Sequence, residues 1–122
     1  MGTRESLLNM KPGEIYWADL AVGRRPIIIV SREDLNRGNY AVAVLCTTVL
    51  FAVRSTLLNC VPFHAGEFGL PQDCVAQCET IMFVDKQDID LATGALGVLD
   101  DARLRDVIKA IGHVIDSDCE PN

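Results

Sequence analysis

Hydrophobic and polar residues alternate along much of the chain, and this alternation is typical of half-buried β-strands. Residues 14–20 alternate in this way and are rich in aromatic side chains, as strands often are. Residues 26–30 are a run of β-branched side chains after a proline and predict a buried strand. Further apolar segments predict strands over 40–48, 55–63, 74–78 and 80–84, the last two being alternatively one strand bent at Glu79.

The pattern changes after residue 99, where apolar residues recur at the three- and four-residue spacing of an α-helix. This apolar face consists of Leu104, Val107, Ile108, Ile111, Val114 and Ile115. Asp100 is the expected N-cap, and Asp101 in the first turn suits the helix dipole. We expect the helix to end near Asp116 and His113 to lie on its solvent-facing side.

Turn-forming residues separate the predicted strands at 11–13, 23–26 and 66–73, and a polar stretch at 32–39 breaks the apolar pattern. Short strands followed by one packing helix predict a mainly β domain, built as a small β-barrel or rolled sheet with a C-terminal helix. Small barrels host many activities, so the fold class alone does not identify a function.

The 122 residues predict a single domain over residues 1–122, with residues 1–10 as a loose leader. Hydrophobic residues make up 49% of the chain, which favours a folded core over disorder. No apolar run reaches the roughly 20 residues of a membrane span. The first residues lack the basic and apolar runs of a signal peptide, so we expect a cytoplasmic protein.

The cysteines do not form a recognisable disulfide or metal pattern. There are five, and an odd number beside an ample apolar core is more typical of buried, reduced thiols than of a disulfide framework. Cys74 and Cys78 have no nearby histidine or second cysteine pair with which to complete a four-ligand zinc site. Phosphate-binding glycine loops and hydrolase motifs are also absent, so we expect neither a metal nor a cofactor.

Charge is unevenly distributed along the chain. The net charge is −6, yet residues 23–66 contain five arginines and two acidic residues, a local charge of +3. Arginine suits bidentate contact with phosphate, so a basic face on an acidic body fits a modest anionic ligand better than a long duplex. Solvated surface arginines are the alternative interpretation.

Arginine and threonine side chains are the candidates for chemistry within this basic segment. Pro26 restricts Arg25 to an extended backbone, which points its guanidinium in a defined direction, and Gly23 permits close approach by a ligand. Thr47 and Thr48 place hydroxyls at the end of an otherwise apolar strand. The alternatives are a surface ion pair for Arg25 and a strand-end cap for Thr47. His64 is either a general base or, more simply, a surface histidine at a strand end.

Five segments spread in order over nearly the whole chain resemble the MazF/PemK toxin family. They are Lys-Pro-Gly-Glu-Ile-Tyr-Trp-Ala-Asp-Leu at 11–20, Gly-Arg-Arg-Pro followed by an apolar strand at 23–30, Val-Leu-Cys-Thr-Thr at 44–48, Val-Asp-Lys-Gln at 84–87 and Leu-Asp-Asp at 99–101.

The resemblance implies an SH3-like barrel of the CcdB/PemK type that forms a homodimer. It also implies metal-independent cleavage of single-stranded RNA, in which the 2′-OH attacks the neighbouring phosphate to leave a 2′,3′-cyclic phosphate and a 5′-OH. The catalytic residues of the family correspond to Arg25 and Thr47, with Thr48 as the hydroxyl if the alignment shifts by one residue. An antitoxin with an acidic tail is the implied protein partner. Position alone suggests substrate contacts from Gly23, Arg24, Thr48, Arg32 and Tyr16.

The chain departs from the family between the first two strands, where only Ala21 and Val22 separate Leu20 from Gly23. Relatives often carry a longer loop there that helps to frame the RNA groove. The short loop leaves a second function open, a CcdB-like toxin or inactive regulatory relative that binds a protein target such as gyrase. An unrelated small-barrel binding module is the third possibility.

Overall fold

Residues 9–115 are described by a computed structural model, in which six antiparallel strands form one curled sheet. The strands are β1 (Glu14–Leu20), β2 (Gly23–Ile29), β3 (Tyr40–Thr47), β4 (Cys60–Phe63), β5 (Cys74–Asp85) and β6 (Gly97–Val98), in the spatial order β4-β5-β3-β2-β1-β6. A short helix α1 (Phe51–Arg54) follows β3, and a long helix α2 (Asp101–Ile115) follows β6. The predicted mainly β fold with a C-terminal helix is confirmed.

β1 and β2 form a tight hairpin that begins where Leu20 pairs with Gly23. Gly23 has a φ of +119°, which side-chain-bearing residues rarely adopt, so the glycine makes this turn possible. β2 starts three residues before the predicted strand because pairing with β1 continues through the arginines to the turn. Its centre is buried, as predicted, with both faces covered.

The two neighbours of β2 pair with it over different lengths. Pairing with β1 runs from Gly23 to Ile28, whereas pairing with β3 is limited to Ile27–Ile29. Pro26 has no N–H group, so the ladder toward β3 loses a donor at that position. The first half of β2 and the end of β3 therefore form an unpaired corner of the sheet.

β5 is one long strand, which confirms the bent-strand alternative for residues 74–84. Its pairing with β3 shifts between Val44 and Leu45, whose partners are Ile81 and Gln77. The extra residues of β5 form a bulge around Glu79, and Asn59 stabilises it by donating its side-chain amide to the Glu79 carboxylate at 2.6 Å.

The prediction of a strand over residues 55–63 is wrong in its first half. Residues 51–54 are helical, and the hydroxyls of Ser55 and Thr56 bond back to carbonyls of that turn. These local bonds compete with strand pairing, so β4 begins only at Cys60. The polar stretch after Arg32 forms a 3-10 helix at Glu33–Arg37.

The sheet buries side chains on both of its faces. One cluster, centred on Ile28, Val44 and Phe63, is covered by α2, and a second includes Met10, Tyr16 and Ile89. Met10 is 1% exposed, so the end of the predicted loose leader is part of the core, while residues 1–8 lie outside the described residues.

The C-terminal helix begins as predicted, with the Arg103 backbone N–H donating to the Asp100 carboxylate at 2.8 Å. Its buried stripe is narrower than the sequence indicates. Val107 and Ala110 are buried, whereas Ile108 and Ile115 are 48% and 66% exposed. The predicted end of this helix at Asp116 lies outside the described residues. Among residues 9–115, the structure contains no helix with the length and apolar character of a membrane span.

Two glycines bring the ends of the curled sheet together. A Cβ at Gly69 would lie 1.8 Å from the Leu96 carbonyl oxygen, and a Cβ at Gly97 would lie 2.0 Å from the Phe68 carbonyl oxygen. The loop after β4 therefore packs backbone to backbone against β6, and this contact holds the sheet in its barrel-like curl.

Candidate active site

The unpaired corner of the sheet contains a cavity of about 480 Å³. Cys46 of β3 and Cys74 at the start of β5 are buried and Pro26 of β2 is half-buried, so we call these three uncharged lining residues the floor. The remaining lining residues are Trp17, Arg24, Arg25, Thr48, Val49, Pro71 and Gln72. The cavity thus combines an uncharged floor with a rim that contains two guanidinium groups, which is the usual composition of a small-ligand site.

Arg25 reaches the cavity with its guanidinium folded back over the β-turn. Its Nη1 donates to the Arg24 carbonyl at 3.1 Å and lies 2.9 Å from the position that a Cβ would take at Gly23. No carboxylate of the described residues pairs with Arg25, because the residue opposite in β1 is Ala18. Gly23 therefore leaves the space that the guanidinium occupies, and Arg25 retains hydrogen-bond donors for a ligand.

Arg24 is held by protein groups. It donates to the Asp90 carboxylate at 2.7 Å and to the Asp19 carboxylate at 3.3 Å, and its guanidinium lies 5.2 Å from the centre of the Trp17 ring. The hydrogen bond from Arg24, joined by two from Thr93, holds the pKa of Asp90 well below its usual range. Arg24 therefore acts as part of the cavity wall, and its charge is compensated.

The two candidate threonines differ in exposure and hydrogen bonding. Thr47 is 7% exposed, and its Oγ1 accepts the Val49 backbone N–H at 3.1 Å, which leaves the hydroxyl proton to donate. Continuing the Ile27–Leu45 register by two residues places Thr47 across from Arg25. Thr48 is exposed and lines the cavity directly, whereas Thr47 is outside the lining.

The two floor cysteines form a thiol pair. A hydrogen bond between the thiols lowers the pKa of Cys74 and raises that of Cys46, which is also raised by burial. Burial raises the pKa of Cys78 to about 12. The described cysteines are all free and buried, in agreement with the prediction of reduced thiols.

The other residues that the sequence suggested lie elsewhere. Tyr16 is 7% exposed on the opposite face of β1, its hydroxyl donates to Glu14, and burial raises its pKa. Arg32 is 3.7 Å from Asp34, away from the cavity. His64 lies 3.7 Å from Asp73 at the surface, and His113 is exposed on α2, as expected. The alternation of β1 instead directs Trp17 to the cavity.

The basic segment does not become an equally basic face. Asp19 and Asp90, both outside residues 23–66, compensate Arg24, and Arg32 pairs within the segment. Arg25 is consequently the guanidinium of the cavity that keeps an uncompensated charge, which is suited to a single phosphate group. Residues 9–115 hold no cluster of three or more side chains of the kinds that bind metal ions.

Comparison with known proteins agrees with this architecture. The chain is 26% identical over 106 residues to the probable endoribonuclease MazF5 of Mycobacterium tuberculosis strain H37Rv, covering 85% of this chain and 91% of the relative. The solved M. tuberculosis toxin MazF-mt6 superposes with a TM-score of 0.71 at 24% identity, over 84% of this chain and 96% of that one. A mycobacterial endoribonuclease solved with its cognate antitoxin gives a TM-score of 0.71 at 25% identity, over 87% and 94%.

A family model described as the PemK-like, MazF-like toxin of type II toxin–antitoxin systems matches residues 11–115. This match begins at the turn before β1 and ends with α2, so it includes every strand of the sheet and the whole cavity. The chain therefore belongs to the PemK-like, MazF-like family of type II toxins.

Proposed function

We propose that this protein is an endoribonuclease toxin that cuts single-stranded RNA at the cavity beside Arg25. The observation that carries the proposal is the guanidinium of Arg25, uncompensated by any described carboxylate, above an uncharged floor. Membership of a family whose similar members are named endoribonucleases gives the reaction class.

In the proposed reaction, the 2′-OH attacks the adjacent phosphorus and the P–O5′ bond breaks. A 2′,3′-cyclic phosphate and a 5′-OH result. The 2′-OH gives its proton to water, and the leaving O5′ takes up a proton from water. Charge develops on the phosphate oxygens, where fixed donors stabilise it. Arg25 supplies such donors and, because a guanidinium keeps its protons, acts as a charge stabiliser and not as a base. The need for a 2′-OH explains selectivity for RNA.

A catalytic hydroxyl needs a defined orientation and access to the substrate, and Thr47 and Thr48 each have one of these properties. Thr47 has its oxygen oriented by the Val49 N–H and its proton free. The resemblance to the family also implies that Thr47 is the catalytic threonine. Thr48 has the greater access to the cavity. We assign the second transition-state donor to Thr47 and a substrate contact to Thr48, with Gly23 and Arg24 shaping the site around them.

We also propose a homodimer in the cytoplasm, held inactive by an antitoxin. A solved relative of similar fold is an endoribonuclease with its cognate antitoxin, and others are MazE–MazF complexes from Deinococcus radiodurans. An acidic antitoxin tail would compete with RNA for Arg25, because both offer anionic groups.

The test is to incubate the purified protein with a long single-stranded RNA in EDTA and to map the new 5′ ends. Cuts at a short motif that leave a 5′-OH and a cyclic phosphate are expected, and an oligonucleotide with a single 2′-deoxy sugar at the cut should survive. Thr47→Ala is expected to lose more activity than Thr48→Ala, with Thr47→Ser retaining part of it. Cleavage that requires a divalent metal ion, or cleavage of the 2′-deoxy oligonucleotide, would contradict the mechanism.

A second candidate function is binding of a protein target without RNA cleavage, as in CcdB-like toxins. The observation that favours it is the two-residue turn between β1 and β2, which leaves no long loop beside the cavity. Intact RNA together with tight binding to gyrase would select this function.

A further inference from the structure

We propose that the cavity beside Arg25 is a nucleobase pocket, and that the Gln72 side-chain amide selects the base next to the cut. The inference rests on the proposed RNA cleavage and adds to it a residue that sets sequence preference. Gln72 is in the loop before β5, and none of the predicted site residues lies in that segment.

Gln72 is an exposed residue that lines the cavity, and its amide has no hydrogen-bond partner among the described residues. Gln77, a few residues along β5, behaves differently. Its Oε1 accepts from Arg54 at 2.6 Å, and its Nε2 donates to Thr80 at 3.0 Å. One glutamine is thus used to hold the bulge, and the other keeps both a donor and an acceptor for a ligand.

The floor of the cavity indicates which part of a nucleotide enters. The uncharged side chains of Pro26, Cys46 and Cys74 offer no strong hydrogen-bonding group. A phosphate placed on this floor would therefore lose its hydration without compensation. A nucleobase has apolar faces and polar edges, and fits an uncharged floor beneath a polar rim. The volume of about 480 Å³ lies in the range of small-ligand pockets.

Arg25 and Gln72 border the same cavity, so a base bound there belongs to a nucleotide whose phosphate reaches Arg25. Bases of single-stranded RNA are free to be read along their edges. An amide pairs with an adjacent donor and acceptor, and adenine is the base that glutamine most characteristically contacts with both of its polar atoms. We therefore expect adenine at the position next to the cut.

The experiment maps 5′ ends from a random-sequence RNA pool cut by the wild type, Gln72→Ala and Gln72→Glu. Gln72→Ala should flatten the base preference at one position. Gln72→Glu replaces the donor by a second acceptor, so preference should move toward guanine, whose Watson–Crick edge has two adjacent N–H donors. Gln87→Glu is the matched control, because Gln87 is exposed outside the cavity and undergoes the same chemical change.

Unchanged base frequencies at every position in both Gln72 variants would overturn the proposal, and so would an equal loss of rate on all sequences. Failure of the wild type to cut any RNA would instead contradict the proposed function. Binding then tests the pocket separately, because Trp17 is the single tryptophan of the chain and lines the cavity.

Fluorescence of Trp17 should change when an uncleavable 2′-O-methyl oligonucleotide that contains adenine is added. Gln72→Ala should weaken that binding by about tenfold, as expected for the loss of one or two hydrogen bonds. Equal affinity of the wild type and Gln72→Ala for this probe would also overturn the proposal.

Discussion

Arg24 and Arg25 are neighbours in one strand, yet their surroundings differ completely. Arg24 is held by Asp19, by Asp90 and by the ring of Trp17, whereas Arg25 contacts the backbone carbonyl before it and no described carboxylate. The first is a rigid part of the cavity wall, and the second retains its charge and donors for a ligand.

The register of the β1–β2 hairpin explains this difference. A two-residue turn pairs Leu20 with Gly23, so Asp19 falls opposite Arg24 and Ala18 falls opposite Arg25. Cross-strand neighbours interact most strongly, and only one of the arginines therefore receives an acid. The short turn therefore determines which of the two guanidiniums has an acid opposite it in β1.

The comparison is tested most strongly by removing each guanidinium in turn. Arg25→Ala should lower the rate of RNA cutting by about 10²–10³-fold, the cost of losing a transition-state donor. Arg25→Lys should recover little, because an ammonium lacks the planar fork of donors. Initial rates on an RNA with one mapped cut site measure both effects.

Arg24→Ala is the matched control for that series. It should lower the cutting rate less than Arg25→Ala does, because it removes a wall residue and not the uncompensated guanidinium, and it should lower the melting temperature, because it releases Trp17 and two carboxylates. Circular dichroism confirms that each variant is folded. A greater loss of rate in Arg24→Ala than in Arg25→Ala would reverse the assigned roles.

A smaller effect on the cutting rate is expected when Arg25 is retained but its guanidinium is displaced. In Gly23→Ala, the new Cβ would lie 2.9 Å from the Arg25 Nη1, and an alanine would have to adopt the φ of +119°. We expect a loss of stability of about 1–3 kcal/mol from the strained backbone. Displacement of the guanidinium should lower the cutting rate by about 10- to 100-fold.

Gly38→Ala is the control for this change, since nothing lies within 4 Å of a Cβ there. It should alter neither the rate nor the stability appreciably. Full activity in a folded Gly23→Ala protein would mean that the position of Arg25 over the turn is unimportant.

Local patterns were sufficient to predict most of the fold. Alternation gave β1 with its observed ends, and the helical period together with Asp100 gave the start of α2. The prediction failed at residues 55–59, where side-chain hydroxyls bond to the preceding turn and an apolar segment does not become a strand. Apolar composition alone could not reveal those local bonds.

The candidate site was predictable only in part, because it is assembled from distant segments. Gly23 and Pro26 were enough to make Arg25 a candidate, but one of the two acids that hold Arg24 is Asp90, 66 residues away. Gln72 and Cys74 reach the cavity through the sheet order. Alternation in β1 shows that Trp17 and Tyr16 lie on opposite faces of the sheet. It does not show which of the two faces holds the site, so the sequence could not decide between them.

The smallest expected effect concerns the ion pair that immobilises Arg24. The pKa of Asp90 is lowered in the folded protein, chiefly by Arg24, so its contribution to stability is complete above the unfolded pKa of about 3.9 and is lost as the pH falls below it. Asp90→Asn should therefore melt at a lower temperature than the wild type at neutral pH, and the two melting temperatures should converge below about pH 4. The difference reports on the charge of Asp90, because asparagine keeps the size of the side chain and removes its charge. A difference that stays constant from pH 7 to pH 2.5 would show that the charge of Asp90 does not hold Arg24, and that packing on Trp17 distinguishes the two arginines.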